Sequence, residues 1–247
     1  MLRSMLVISV AMTAVAVVPA GPAAAVHKPD PAAKRAAQAV IPGLVYIQSQ
    51  LSDGVIVGGT GMVLTRGGEV LTNYHLVHDE VTVGVFDLGD HRVHHAHVVG
   101  VDATHDVAVL QIEQVRDLPI VHLAHDPAEI GQAVVAVGNG GGRLGEHPGR
   151  ITGTGRTLTA QDPEAGPETI RGLLQTDARL TPGDSGGPLV ATTGPDAGRV
   201  VGMDTAGLFV RHGERTTPVA GYAIPIERAL EIARRIEDRA STDQHEA

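Results

Sequence analysis

A chain of 247 residues, 43% of them apolar, carries enough hydrophobic side chains for a continuous globular core in one domain or two small ones. Its formal charge of −9, with no cluster of Lys and Arg, excludes a nucleic-acid-binding surface, which needs concentrated cations to displace phosphate counterions. The absence of cysteine excludes disulfides, zinc thiolate centres and thiol catalysis, so packing alone must hold the fold.

The chain opens with Arg3, an apolar run over residues 5–18, and a stretch over 19–25 that ends in Ala23, Ala24 and Ala25. This is the pattern of a secretory signal peptide over residues 1–25, with cleavage after Ala25, and it implies a secreted or extracytoplasmic (cell envelope) protein. The run is short for a hydrocarbon layer of about 30 Å, so membrane association follows only if the segment stays uncleaved. Residues 26–39, rich in Ala, Lys and Pro, read as a flexible lead-in, with the folded domain over 40–240.

From there 31 glycines and 15 prolines, with valine in short runs, favour short strands joined by many turns. Strand-like segments fall at 45–48, 54–57, 61–64, 70–72, 81–85, 93–99 and 107–112, with Gly58, Gly59, Gly67, Gly68 and Gly89 as turn separators. A second set falls at 133–137, 150–157, 172–176, 187–191, 200–205 and 221–224. Two such batches match an all-β fold of two six-stranded antiparallel β-barrels packed side by side, the first over about 40–124 and the second over about 130–225. After Pro225, Ile226, Ala229, Leu230, Ala233 and Ile236 recur at helical spacing, which predicts an amphipathic C-terminal α-helix over about 226–240 packed on a barrel. Beyond Ala240 the tail is polar and reads as frayed.

Three residues carry chemistry. Ser185 lies among Gly183, Gly186 and Gly187, immediately before an apolar strand. A nucleophilic serine needs that setting, because a tight turn exposes the hydroxyl and bare backbone N–H groups, here those of Gly183 and Ser185, converge on a developing oxyanion. His75 follows the strand at 70–72, and Asp106 opens the apolar run Val107, Ala108, Val109, Leu110. Alone, each has an ordinary structural role: a hairpin turn, a strand-end histidine, a polar strand opener. The ordered set His, Asp, Ser on these local scaffolds outweighs those readings.

The segments Gly59-Thr60-Gly61-Met62-Val63-Leu64 with Leu71-Thr72-Asn73-Tyr74-His75, Thr104-His105-Asp106-Val107-Ala108-Val109-Leu110, Gln175-Thr176-Asp177-Ala178, and Pro182-Gly183-Asp184-Ser185-Gly186-Gly187-Pro188-Leu189 resemble the trypsin-like serine proteases, within them the bacterial HtrA/Deg-like branch. The resemblance implies a serine endopeptidase with His75, Asp106 and Ser185 as its catalytic triad, an oxyanion hole from the Gly183 and Ser185 N–H groups, a polypeptide substrate, and no cofactor or metal. Asp106 occupies the family position, and Asp102 reads as a loop residue. The substrate pocket implied by the resemblance includes Ala178, Arg179, Asp204, Thr205, Ala206 and Ala223. These are mostly small or apolar, which suggests a small aliphatic preference.

The chain also departs from that branch. HtrA-like enzymes usually carry Asn before the serine, where this chain has Asp184, as digestive-type relatives do. In those relatives the aspartate pairs with a new N-terminus. Here Asp184 either pairs with an internal arginine, with Arg150, Arg156 and Arg179 as candidates, or stays solvated, and the cost of a buried unpaired carboxylate favours pairing. No PDZ domain is expected after the helix, and with 2% aromatic residues a trimer is doubtful, so monomer and trimer stay undecided. His91, His94, His95 and His97 crowd one segment, but surface strand histidines are commoner than a metal site, and none is assigned. The run over 138–142 lacks a following Lys-Ser or Lys-Thr and reads as a flexible rim loop rather than a phosphate loop. The alternative function is a protease-fold binding or chaperone-like module with weak or absent catalysis.

Overall fold

The computed structural model describes residues 13–14, 30–52, 54, 56–78, 80–88, 91–140, 143–162, 166–212 and 215–246. The expected signal peptide lies outside these apart from β1 (Thr13–Ala14), which pairs in parallel with Gly207 and Leu208.

Six strands, β2 (Leu44–Leu51), β3 (Ile56–Val63), β4 (Glu69–Thr72), β5 (Glu80–Asp87), β6 (Val93–Asp102) and β7 (Val107–Ile112), close into an antiparallel barrel in the order β2-β3-β4-β7-β6-β5. The second sheet contains β8 (Ala133–Gly140), β9 (Arg143–Asp162), β10 (Gly166–Thr176), β11 (Pro188–Ala191), β12 (Val200–His212) and β13 (Arg215–Pro225). Because β13 pairs with both β10 and β12, these six also form a ring of antiparallel pairings. Closure removes the exposed edges that a flat sheet would leave.

Side-chain alternation builds the layers. Along β7, Ala108, Leu110 and Ile112 point into the first barrel, while Val107 and Val109 join a second cluster. Along β8, Val134 and Ala136 enter the core of the second strand ring, while Val135 and Val137 join that same second cluster. The period of two thus gives each barrel its own interior plus a shared apolar layer, to which both helices contribute.

Two expectations are corrected. The two segments expected at 54–57 and 61–64 are one continuous strand, β3, whose residues are all buried. Gly58 and Gly59 sit inside it for lack of space: a Cβ would lie 2.4 Å from the Tyr46 hydroxyl at Gly58 and 2.3 Å from a Leu76 methyl at Gly59. Nor is the lead-in flexible from residue 30 on. Helix α1 (Pro31–Val40) is N-capped by Asp30, which accepts the Ala32 N–H at 2.8 Å, and buries Ala33, Ala36, Ala37 and Val40 in the shared layer. That i, i+3, i+4, i+7 spacing is a helical stripe written in alanine, too small a side chain to stand out as apolar.

The C-terminal helix, α2 (Ile226–Glu246), runs past Ala240 and buries Ile226, Ala229, Ile232, Ala233 and Ile236, with Leu230 partly buried. It packs on β6 and β7 of the first barrel and on β12 and β13 of the second. Among the described residues no helix is long and apolar enough to cross a membrane.

Candidate active site

His75 sits in a single 3₁₀ turn (Tyr74–Leu76) directly after β4, and its side chain is 6% exposed. Its Nδ1 lies 3.0 Å from each oxygen of Asp106, and its backbone N–H donates to Asp106 Oδ1 at 3.0 Å. Asp106 is fully buried and left-handed (φ 56°, ψ 46°), at the end of the 3₁₀ turn Ala103–His105. Aspartate tolerates that conformation better than most residues. Asn73 donates its side-chain N–H to the Asp106 carbonyl at 2.9 Å, and the Thr205 hydroxyl donates to Asp106 Oδ2. Asp102 anchors the same turn: it accepts the His105 N–H at 3.1 Å and pairs with His105 Nδ1 at 2.9 Å. It is a cap for the turn that presents Asp106, not an idle loop residue.

Ser185 lies across the structure in the turn before β11. Its hydroxyl donates to the Thr205 carbonyl at 3.4 Å, so Thr205 touches Ser185 through its backbone and Asp106 through its side chain. The turn is stitched to both barrels. Thr60 of β3 donates its N–H to the Ser185 carbonyl (2.9 Å) and its hydroxyl to the Gly183 carbonyl (2.7 Å), and that hydroxyl accepts the Asn139 N–H (2.9 Å). Gly186 donates its N–H to the Asp204 carbonyl at 2.8 Å. At Gly186, with φ of 79°, a Cβ would stand 2.1 Å from the Thr60 carbonyl oxygen, so only glycine fits. Among the described residues, no protein acceptor takes the Gly183 or Ser185 N–H.

The residues expected at the substrate pocket divide. Thr205 is fully buried and belongs to the His75–Asp106 assembly. Asp204 is fully buried, and neither carboxylate oxygen has a hydrogen-bond partner. Ala178 and Ala223 are packed in the core of the second strand ring and Ala206 in the shared layer, while Arg179 is half-buried.

The expected arginine partner of Asp184 is also corrected. Arg150 donates to the Gly131 carbonyl at 2.9 Å, and Arg156 packs on Gly153. Asp184 Oδ2 instead lies 3.3 Å from His147 Nε2 and accepts the Thr181 N–H (2.6 Å) and hydroxyl (3.1 Å). Burial pushes the Asp184 carboxyl up, while His147 and Thr181 pull it down. Burial pushes Asp204 up strongly, and the Asp184 charge adds to that. No motif flags His147, and the segment that contains Thr60 gives it no role, because each acts through a contact between elements far apart in sequence. In the histidine-rich segment, His97 lies 3.5 Å from the Glu113 carboxylate, and among the described residues no three metal-ligating side chains converge.

A buried His–Asp pair on one strand ring, joined through a threonine to a glycine-walled serine turn on the other, defines a double-barrel protein of the trypsin type. The profile of the trypsin-like peptidase domain matches residues 59–203, and the chain belongs to that family. It is 36% identical over 177 residues to the serine protease HhoB of Synechocystis (71% of this chain, 39% of the relative). It is 33% identical over 182 residues to a DegP-like periplasmic serine endoprotease of Pseudomonas putida (72% and 34%). The HtrA-type protease AlgW, solved with a tripeptide, superposes with a TM-score of 0.71 at 29% identity over 85% of this chain and 64% of that one. These similarities place the chain on the HtrA branch, and it spans less than half the length of these two curated relatives.

Proposed function

We propose that the chain is a serine endopeptidase that cleaves polypeptides outside the cytoplasm. The observation that carries this reading is the Asp106 carboxylate, held by the His75 backbone and ring and by the Thr205 hydroxyl, with Thr205 also in contact with Ser185. In the mechanism, the Ser185 hydroxyl leaves the Thr205 carbonyl and attacks the scissile carbonyl carbon, as His75 Nε2 takes its proton. The oxyanion that forms accepts from the Gly183 and Ser185 N–H groups. His75 then gives the proton to the leaving amine, and water repeats the sequence on the acyl-enzyme to restore Ser185. Asp106 holds the tautomer with the proton on Nδ1 and stabilises the imidazolium.

The apolar N-terminal run and a relative named as periplasmic support an envelope or secreted location. The expected pocket residues Ala178, Ala206 and Ala223 are small, and this supports small aliphatic side chains before the scissile bond. A binding module would have no use for a buried His–Asp–Thr assembly, whose burial has to be compensated.

The test is a fluorophosphonate probe and an unfolded protein substrate, each with the wild type and with Ser185→Ala. Labelling at Ser185 with cleavage that the variant loses is the expected result. A folded wild type that neither labels nor cleaves refutes the reading.

A further inference from the structure

Beneath the serine turn, two titratable side chains from separate elements come within ion-pair distance, and a third is buried on the strand beside the turn. Asp184, in the turn itself, is 1% exposed. His147, on β9, has a side chain 22% exposed and is the one basic group at ion-pair distance from Asp184 among the described residues. Asp204, on β12, is fully buried, and the Asp184 charge acts on it. The space is shaped for the pair: a Cβ on Gly138 would stand 2.2 Å from Asp184 Oδ1, and one on Gly145 would stand 2.7 Å from His147 Nε2. Burial raises both carboxyls and the Asp184 charge raises Asp204 further, while His147 draws Asp184 back down.

The consequence runs along the turn. Asp184 Oδ2 fixes Thr181 through two hydrogen bonds, and the Asp184 N–H returns to the Thr181 carbonyl at 3.0 Å. Gly183, the donor on which the oxyanion depends, lies inside the loop those bonds close. Resting on the endopeptidase reading, we propose that His147 is a positioning residue for the oxyanion hole. As an imidazolium it holds Asp184, and through Asp184 it holds the Gly183 N–H in the geometry that receives the oxyanion. The fold thereby supplies from within β9 the cation that a buried carboxylate at this position requires, so the pairing of Asp184 needs no newly released N-terminus.

The test is a double-mutant cycle on the full chain with His147→Asn, Asp184→Asn and both together. It reads the rate of fluorophosphonate labelling at Ser185, kcat and KM on a peptide substrate, and the melting temperature. His147→Asn alone leaves Asp184 buried without its cation, and labelling and kcat fall by about tenfold or more with KM little changed, as for a displaced oxyanion donor. With Asp184→Asn as the baseline there is no charge to neutralise, and adding His147→Asn changes either rate less than about twofold. If His147→Asn does not fold alone, the double variant, which has no unbalanced charge, folds and labels.

Equal losses in both backgrounds, or none in the wild-type background, overturn the proposal. A wild type that never labels overturns the endopeptidase reading and the positioning role with it. The melting temperatures then still show, by coupling or its absence, whether His147 and Asp184 interact.

Discussion

Thr60→Val tests how much of the serine turn's attachment to the first barrel depends on the Thr60 hydroxyl, since the Thr60 N–H bond to the Ser185 carbonyl is kept. Thr60 is fully buried, and valine keeps its shape while removing a donor to the Gly183 carbonyl (2.7 Å) and an acceptor of the Asn139 N–H (2.9 Å). Gly183 and Asn139 are themselves buried, so each loses a partner that water does not readily replace. An unsatisfied buried group costs about 1–3 kcal/mol, and two together cost about 2–6 kcal/mol. At roughly 2–4 °C per kcal/mol for a domain of this size, the melting temperature falls by about 4–24 °C. In urea unfolding followed by circular dichroism, the midpoint drops while the m-value stays put. Labelling of Ser185 slows as well, because the Gly183 peptide is free to turn. Thr60→Ser keeps the hydroxyl and loses only a methyl, worth about 1 kcal/mol, so it separates the polar effect from packing. A Thr60→Val protein within about 0.5 kcal/mol of wild type would refute the reasoning.

Thr205→Val removes the hydroxyl on Asp106 but keeps the carbonyl that Ser185 contacts, and kcat on a peptide substrate falls by about tenfold with KM little changed. Asp204 has a folded-state pKa raised above the ordinary 3.8, so its stabilising share is complete below that value and is lost as pH rises through the folded value. Asp204→Asn removes this dependence, and urea midpoints measured from pH 4 to 8 fall more steeply with pH in the wild type than in the variant. Burial, together with a hydrogen bond to and the charge of Glu237 on α2, pushes Glu69 on β4 from 4.5 up to about 7. The contact therefore stabilises at pH 5 and is lost as pH rises through about 7, and Glu237→Gln narrows the gap between melting temperatures at pH 5 and pH 8. Ala37→Leu overfills a fully buried helix position and costs about 1–3 kcal/mol by urea unfolding, whereas a flexible lead-in would tolerate it.

What the sequence made legible followed from local pattern. Short valine-rich runs between turn residues gave the all-β double ring, and the glycines around Ser185 marked a turn that only a close backbone approach explains. Gly58 and Gly59 misled because glycine also serves where a neighbour's side chain takes the space of a Cβ, and the Tyr46 and Leu76 that take it come from other elements. Helix α1 was obscured because alanine buries little area per residue and reads as neutral. The partner of Asp184 was out of reach for a different reason. A buried carboxylate calls for a counter-charge, and sequence alone points to the arginines, whereas the strand ring brings the shorter, smaller His147 to the carboxylate.

The same logic explains why the site stands where the rings meet. Each ring satisfies its own interior through side-chain alternation, so nothing apolar fixes the serine turn against the histidine turn to within a hydrogen-bond length. That alignment depends on polar contacts between the two halves: Thr60 of the first barrel on Gly183 and Ser185, and Thr205 of the second strand ring on Asp106. Apolar packing is non-directional and tolerates a sliding error, whereas a buried hydrogen bond weakens steeply with distance and angle. Sequence change that preserves hydrophobic volume is therefore accommodated in the shared layer, while change at Thr60, Gly186 or Thr205 displaces one half of the site relative to the other.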